Sequence, residues 1–367
     1  MKIVYDHQIF SLQNTGGASR YYYELLRYLS TVPEVQTEVF VGFSGLVYPL
    51  QNLPPLNTNV KRFPGVLPPG TPRYAINELM GNLVAILNRT SDIYHSTHCR
   101  FMPFVRARRL LVTHQDCTYE RYPIFSHTKT VLSARKKVFK QADAIICISE
   151  ATRKDLLDFY NVDPAKTRVI HLGVTDLPRS QVAARELRAL MRRQYLLYVG
   201  RRAYHKNFIA FLRAFRDVQL HEDFDLLTLG GGDFNQEEAA LVRALGLADS
   251  VVSVPIASDS LLAEAYAAAR VFVYPSLWEG FGIPPLEAMR AGCPVVACRA
   301  GAIPEVCLDA AFYFEPDDKT SLNAILLRAT NDEEARKRAI DRGREIAAKY
   351  PWEKCGAQTL AFYRECQ

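Results

Sequence analysis

Short apolar runs recur along the chain, most ending in a polar or glycine-bearing break followed by apolar positions three and four apart. Alternating or continuous apolar residues predict strands over 2–5, 38–42, 93–94, 110–113, 144–148 and 168–170. A second series follows over 195–200, 224–229, 251–254, 271–274 and 293–297. Helical spacing separates most of these runs, as at Tyr22, Leu25, Leu26 and Leu29. The tail is helical over 332–349 and 358–365, broken at Pro351 and Trp352. Strand and helix alternating over such lengths predict an α/β chain built on open parallel sheets. The charge-free stretch 39–60 carries Pro49, Pro54, Pro55 and several amides, so it reads as a strand and a loop rather than a membrane span.

Ligands of open sheets bind beyond the carboxyl ends of the strands. That rule singles out His95 and His98 after one strand, His114 and Asp116 after the next, and Ser149 and Glu150 after a third. Three stretches also run from a strand through a loop into a helix start, where free N–H groups and the helix dipole favour an anion. The first contains Gly16, Gly17 and Arg20, the second Arg201, Arg202 and Lys206. The third puts Glu279 on a glycine-bearing loop and Glu287 in the first turn of the helix that follows, with Pro284 and Pro285 suited to that turn.

At 367 residues the chain accommodates two domains, and 174–194, where Pro178 precedes a charged helical run, is the best linker. Domains are therefore expected over 1–180 and 181–350. The first 180 residues carry 22 Lys+Arg against 14 Asp+Glu, which points to an anionic surface or acceptor on that half. Residues 129–140 form a basic helix with an apolar stripe of Val131, Leu132, Val138 and Phe139. It reads as a solvated face over a core stripe, or as a contact with an anionic membrane surface. No nucleic-acid partner is expected. Eight cysteines without CxxC spacing fit buried thiols of a reducing, cytoplasmic compartment. Asp6 interrupts the first apolar run, so no secretory signal is expected there. Asp223-Phe224-Asp225 matches the DxD pattern of metal-dependent sugar transferases, but it lies at the entry to a strand, the wrong end for a site. No other cluster has metal-ligand spacing, and neither a metal nor a cofactor is expected.

Six features, in chain order, carry a resemblance. They are Gly16-Gly17-x-x-Arg20-Tyr21, His114-x-Asp116, Ile148-Ser149-Glu150, Val199-Gly200-x-Arg202-x-x-x-Lys206-Asn207, the Glu279/Glu287 pair around Gly280-Phe281-Gly282-Ile283-Pro284-Pro285, and Pro304-Glu305. Together they resemble the family 4 retaining glycosyltransferases of the GT-B fold. The resemblance implies two Rossmann-like domains with parallel sheets facing a central cleft, and a C-terminal helix, about 351–367, returning to the acceptor-side first domain. The second domain would bind the nucleotide-sugar.

Carried over by position, the resemblance implies that Glu287 holds the ribose hydroxyls of a GDP-, UDP- or dTDP-sugar. Glu279 would stand by the donor sugar, with the backbone of Phe281, Gly282 and Ile283 around it. Arg202 and Lys206 would meet the diphosphate, Arg201 being the reserve, and Gly16 and Gly17 would close over it. His114 would lie near donor sugar and acceptor, with Asp116 orienting His114 or the acceptor; Arg20, His95 and His98 fall on the acceptor side. The implied reaction is metal-independent transfer of a mannosyl, rhamnosyl or glucosyl group to a surface or lipid-linked glycan. The base pocket is expected near 254–257, and acceptor selection in loops 43–75 and 98–127.

Two rivals make different demands. A nucleotide-dependent oxidoreductase or epimerase on Rossmann layers calls for GxGxxG after the first strand, and residues 14–21 do not supply it. A non-catalytic sugar-nucleotide-binding protein is separated only by turnover.

Overall fold

The computed structural model describes residues 1–54, 57–63, 71–87, 90–98, 100–101, 106–123, 128–256 and 258–367. Ala257 of the expected base pocket, and parts of the loops 43–75 and 98–127, lie outside these residues. The chain forms two compact units, Met1–Gly173 with Pro351–Gln367, and Val174–Tyr350. The division falls ahead of residue 180 because the intervening segment is tied to the second unit. Arg179 pairs with Glu264 at 2.7 Å, the Ser180 amide donates to the same carboxylate, and the Val174 amide donates to the Tyr350 carbonyl.

In the first unit, the described residues form a seven-stranded parallel sheet: β1 (Lys2–Tyr5), β2 (Gln36–Gly42), β3 (Thr58–Arg62), β4 (Ser91–Ser96), β5 (Ala107–His114), β6 (Ala144–Cys147) and β7 (Thr167–Val169). Their order is β3-β2-β1-β4-β5-β6-β7, so the winding reverses between β1 and β4. Helix Trp352–Glu365 returns to this unit and packs on helix Gly17–Leu29, where a side chain at Gly356 would collide with the Tyr28 ring. Tyr363 on that helix shares a hydrogen bond with Tyr5 at 2.9 Å, both fully buried.

The second unit holds β8 (Tyr195–Val199), β9 (Asp225–Leu229), β10 (Val251–Val254), β11 (Val271–Tyr274), β12 (Val295–Cys298) and β13 (Ala311–Phe314). All pairings are parallel, in the order β10-β9-β8-β11-β12-β13, and the reversal lies between β8 and β11. Helix Phe208–Asp217 buries Phe208, Phe211, Leu212 and Phe215 against β8 and β9. The expected strands are present, and β3 and β13 are added to them. Both are edge strands: β3 is largely polar, whereas β13 is the continuous apolar run Ala-Phe-Tyr-Phe, which the strand pattern passed over.

Asp225 of the DxD-like run is 2% exposed and accepts from the Arg192 and Arg193 amides and the Arg193 guanidinium, which makes it a structural carboxylate. The described cysteines are free, and all but Cys366 are buried. Among the described residues no helix is long and apolar enough to cross a membrane, and no cluster of three or more His, Cys, Asp or Glu could hold a metal ion.

Candidate functional site

In the second unit the loops after β8 and β11 leave neighbouring strands on either side of the reversal, the position at which open α/β sheets bind ligands. After β8 the chain turns at Gly200 (φ 117°), and the Tyr198 hydroxyl fixes the turn by donating to the Arg201 carbonyl at 2.7 Å. A short 3-10 turn, Tyr204–Lys206, leads to Asn207 and into helix Phe208–Asp217. The two loops are stitched together, the Leu277 amide donating to the His205 carbonyl at 2.8 Å. Lys206 Nζ then stands 2.6 Å from Glu279 Oε1, with the Tyr274 ring 5.8 Å from the ammonium. Burial and the Glu279 carboxylate push the Tyr274 hydroxyl well above the usual phenol range.

The backbone at Glu279 is fixed from behind. The Ala302 amide donates to its carbonyl at 3.1 Å, and Gly301 passes so close that a Cβ there would lie 2.7 Å from that oxygen. Gly282 (φ 115°) caps helix Ile283–Arg290, and a Cβ on it would meet Ile303 at 2.7 Å. The side chains of Phe281 and Ile283 are buried. Glu287 is the fifth residue of that helix, 6% exposed, and accepts from the Tyr266 hydroxyl at 3.3 Å.

Arg202 has different employment from the one its spacing suggested. Its side chain is 3% exposed, with Nε 3.1 Å from Glu238. Its terminal nitrogens donate to the carbonyls of Gly230, Gly232 and Asp233 at 2.8 to 3.0 Å, and the guanidinium stacks on Phe234. It clamps the glycine loop after β9, where positive φ at Gly230, Gly231 and Gly232 turns carbonyls inward. Arg201 is exposed and its side chain makes no ion pair among the described residues, so it is the arginine left for an anion at this loop.

In the first unit a five-residue helix, Gln8–Leu12, separates β1 from the Gly16–Gly17 turn. Gly16 (φ 147°) caps helix Gly17–Leu29, and a Cβ there would lie 2.8 Å from Gln13 Oε1. Arg20 is 8% exposed, donating from Nε to the Tyr48 hydroxyl at 3.2 Å. His95 is removed from any acceptor. It is 0% exposed, and its ring nitrogens meet the Tyr363 hydroxyl at 2.5 Å and the Thr113 hydroxyl at 2.8 Å, so it serves as a core residue joining β4, β5 and the C-terminal helix. Burial holds its imidazole down at about 3.

His98, His114 and Asp116 do come together, around a residue the sequence did not single out. Arg135, 6% exposed, donates to the Asp116 carbonyl at 2.9 Å and to both Glu120 oxygens at 2.8 Å, with the Asp116 carboxylate 3.8 Å away. Tyr160 donates to the same Glu120 at 2.5 Å. His114 Nε2 lies 3.2 Å from Cys117 Sγ. Burial, then the Arg135 charge, push His114 down to about 3 and His98 to about 4, so both rings are neutral. Burial works to raise the Asp116 carboxyl, but Arg135 and the Thr118 amide hold it below the usual range. Arg135 could have been found from its place in the helical pattern, since it falls among Thr128, Leu132 and Phe139 on the apolar face. Ser149, fully buried, caps helix Glu150–Phe159 by accepting from the Thr152 amide.

Two family models match. "Glycosyltransferase Family 4" spans residues 15–176 and "Glycosyl transferases group 1" spans 182–346. O-antigen chain mannosyltransferase B of Escherichia coli is 29% identical over 285 residues, 74% of this chain and 74% of that protein. The MMP alpha-(1->4)-mannosyltransferase of Mycolicibacterium hassiacum is 32% identical over 270 residues, 72% of this chain and 63% of that protein. Among solved structures, sucrose-phosphate synthase from Thermosynechococcus elongatus superposes with a TM-score of 0.80 at 21% identity, covering 99% of this chain and 98% of that one.

Proposed function

Because the chain belongs to the family 4 glycosyltransferases of the GT-B fold, we propose that it moves a hexosyl group from a nucleotide-sugar to a hydroxyl of a surface or lipid-linked glycan, with retention at the anomeric carbon. The observation that carries the donor half is the Lys206–Glu279 pair beyond the β8/β11 reversal, with buried Glu287 and exposed Arg201 in the same unit. In this reading Glu287 accepts from the ribose diol, which one carboxylate can bind twice. Arg201 and Lys206, with the Gly282 and Ile283 amides ahead of Pro284 and Pro285, receive the negative charge that grows on the departing diphosphate. Two unit charges about 4 Å apart interact by roughly 4 kcal/mol at an effective dielectric of 20, so two placed cations supply a sizeable share of the stabilisation.

The anomeric carbon–oxygen bond to the phosphate breaks as the acceptor oxygen bonds on the same face, and the acceptor proton passes to the leaving phosphate oxygen. His114 enters as a neutral hydrogen-bonding ring and Asp116 as a carboxylate, consistent with the directions of their shifts. Mannose is the first sugar to test, because both curated relatives described above carry the name mannosyltransferase.

The test is a panel of GDP-, UDP-, dTDP- and ADP-linked mannose, rhamnose and glucose assayed for slow hydrolysis without acceptor. One donor should turn over, and Glu287→Ala and Lys206→Ala should each slow that turnover at least about tenfold. Unchanged turnover in both variants would overturn the assignment, and NMR of the released anomer reads retention directly.

A further inference from the structure

Helix Thr128–Gln141 carries five basic residues and no acidic one. Arg135 is turned inward and neutralised by Glu120 and Asp116. Lys129, Lys136, Lys137 and Lys140 are exposed, and none forms an ion pair among the described residues. Two of them look onto something more specific than solvent. Positions 129, 133, 137 and 141 recur at helical spacing, with 130, 134 and 138 beside them, and this side of the helix faces Arg100 and Phe101 across a groove of about 560 Å³.

The groove combines three chemistries. Arg100, Lys129 and Lys137 supply cations with no acidic side chain among the described lining residues, and the Thr130 and Ser133 hydroxyls add neutral donors. Phe101, Ala134 and Val138 supply an apolar floor. Its far wall is held in place, Arg100 lying 5.1 Å over the Tyr74 ring and Phe101 packing on Tyr94. Uncompensated cations crowded along one groove raise the local anion concentration, and the apolar floor favours an anion attached to hydrocarbon over a free one.

We infer that this groove seats the phosphate of an anionic lipid, with the lipid's first apolar carbons against Phe101 and Val138. The inference deepens the reading of the acceptor as lipid-linked, and its readout is membrane partition rather than turnover, so the two fail separately.

The experiment is sedimentation of the full chain with phosphatidylcholine vesicles, with and without phosphatidylglycerol. The wild type should bind only the anionic vesicles. The pair Lys129→Gln/Lys137→Gln should lower the partition coefficient roughly 25-fold, the weight of two basic residues near an anionic surface. The pair Lys136→Gln/Lys140→Gln removes the same charge from the same helix outside the groove and should cost about fivefold or less. All four side chains are exposed, so the variants should melt as the wild type does, and acceptor-free donor hydrolysis should be unchanged. Equal losses from the two pairs would reduce the effect to diffuse charge and overturn the proposal. So would failure to bind anionic vesicles, including the case in which inorganic phosphate alone shifts the groove resonances.

Discussion

Lys206 Nζ lies 2.6 Å from Glu279 Oε1, so one ion pair joins the turn after β8 to the loop after β11. The two side chains are only 23% and 13% exposed, which makes the pair partly desolvated and sensitive to a third charge. An incoming diphosphate competes with Glu279 for the ammonium, and binding exchanges one charge-assisted contact for another.

Lys206→Ala should therefore lower kcat/KM for the donor about 10- to 100-fold, the range expected when a hydrogen bond to a charged group is lost. Thermal shift by the matching nucleoside diphosphate should shrink in parallel. A variant that keeps the full ligand-induced shift would remove Lys206 from the donor site.

The two adjacent arginines should separate cleanly. Arg201 is exposed, so Arg201→Ala should leave the melting curve unchanged and weaken nucleoside diphosphate binding about tenfold or more. Arg202→Ala leaves Glu238 and three inward carbonyls without their partner, and should destabilise the second unit by about 3 kcal/mol or more. Urea unfolding and calorimetric titration on both variants decide the matter. A stable Arg202→Ala protein defective in donor binding would reverse the assignment.

Arg135 organises the turn that carries His114 and Asp116, and its charge and its shape are separable. Arg135→Lys keeps the charge but cannot reach the Asp116 carbonyl and both Glu120 oxygens at once. It should lower kcat about tenfold with the donor KM unchanged. Arg135→Met strands the Glu120 carboxylate, only 4% exposed, and should unfold far more readily, with Glu120→Gln restoring part of the loss. Kinetics on Arg135→Lys beside unfolding curves for Arg135→Met, with and without Glu120→Gln, test both halves.

The parallel sheets were legible because each central strand is a continuous apolar run, which is what burial on both faces demands. Edge strand β3 was not, since it is largely polar, and β13 was passed over although Ala311–Phe314 is a continuous apolar run. Glu279, Glu287 and Lys206 could be picked out because they punctuate strand ends and helix starts. The contacts of Arg202 could not be read, because its partners are backbone carbonyls of a distant loop, which carry no side-chain signature. Histidines after strands looked alike in sequence. Only packing shows that His95 is sealed against Tyr363, a residue 268 positions away, whereas His114 sits beside Asp116.

Those two sealed histidines make stability depend on pH in a defined direction. His95 and His114 are 0% and 2% exposed, and burial lowers both to about 3. In the unfolded chain each titrates near the ordinary value of about 6.5. As pH falls below that value the unfolded state takes up protons that the native state refuses, so stability is intact above about pH 6.5 and is lost on acidification. Each ring contributes a slope of up to about 1.4 kcal/mol per pH unit between the two values. Urea midpoints measured between pH 7 and pH 5 should fall steadily, a window that lies above most carboxylate titrations. His114→Gln should flatten the slope by about one proton's worth. A midpoint independent of pH across that window would mean that the imidazoles protonate in the folded protein and that His114 does not act as a neutral ring.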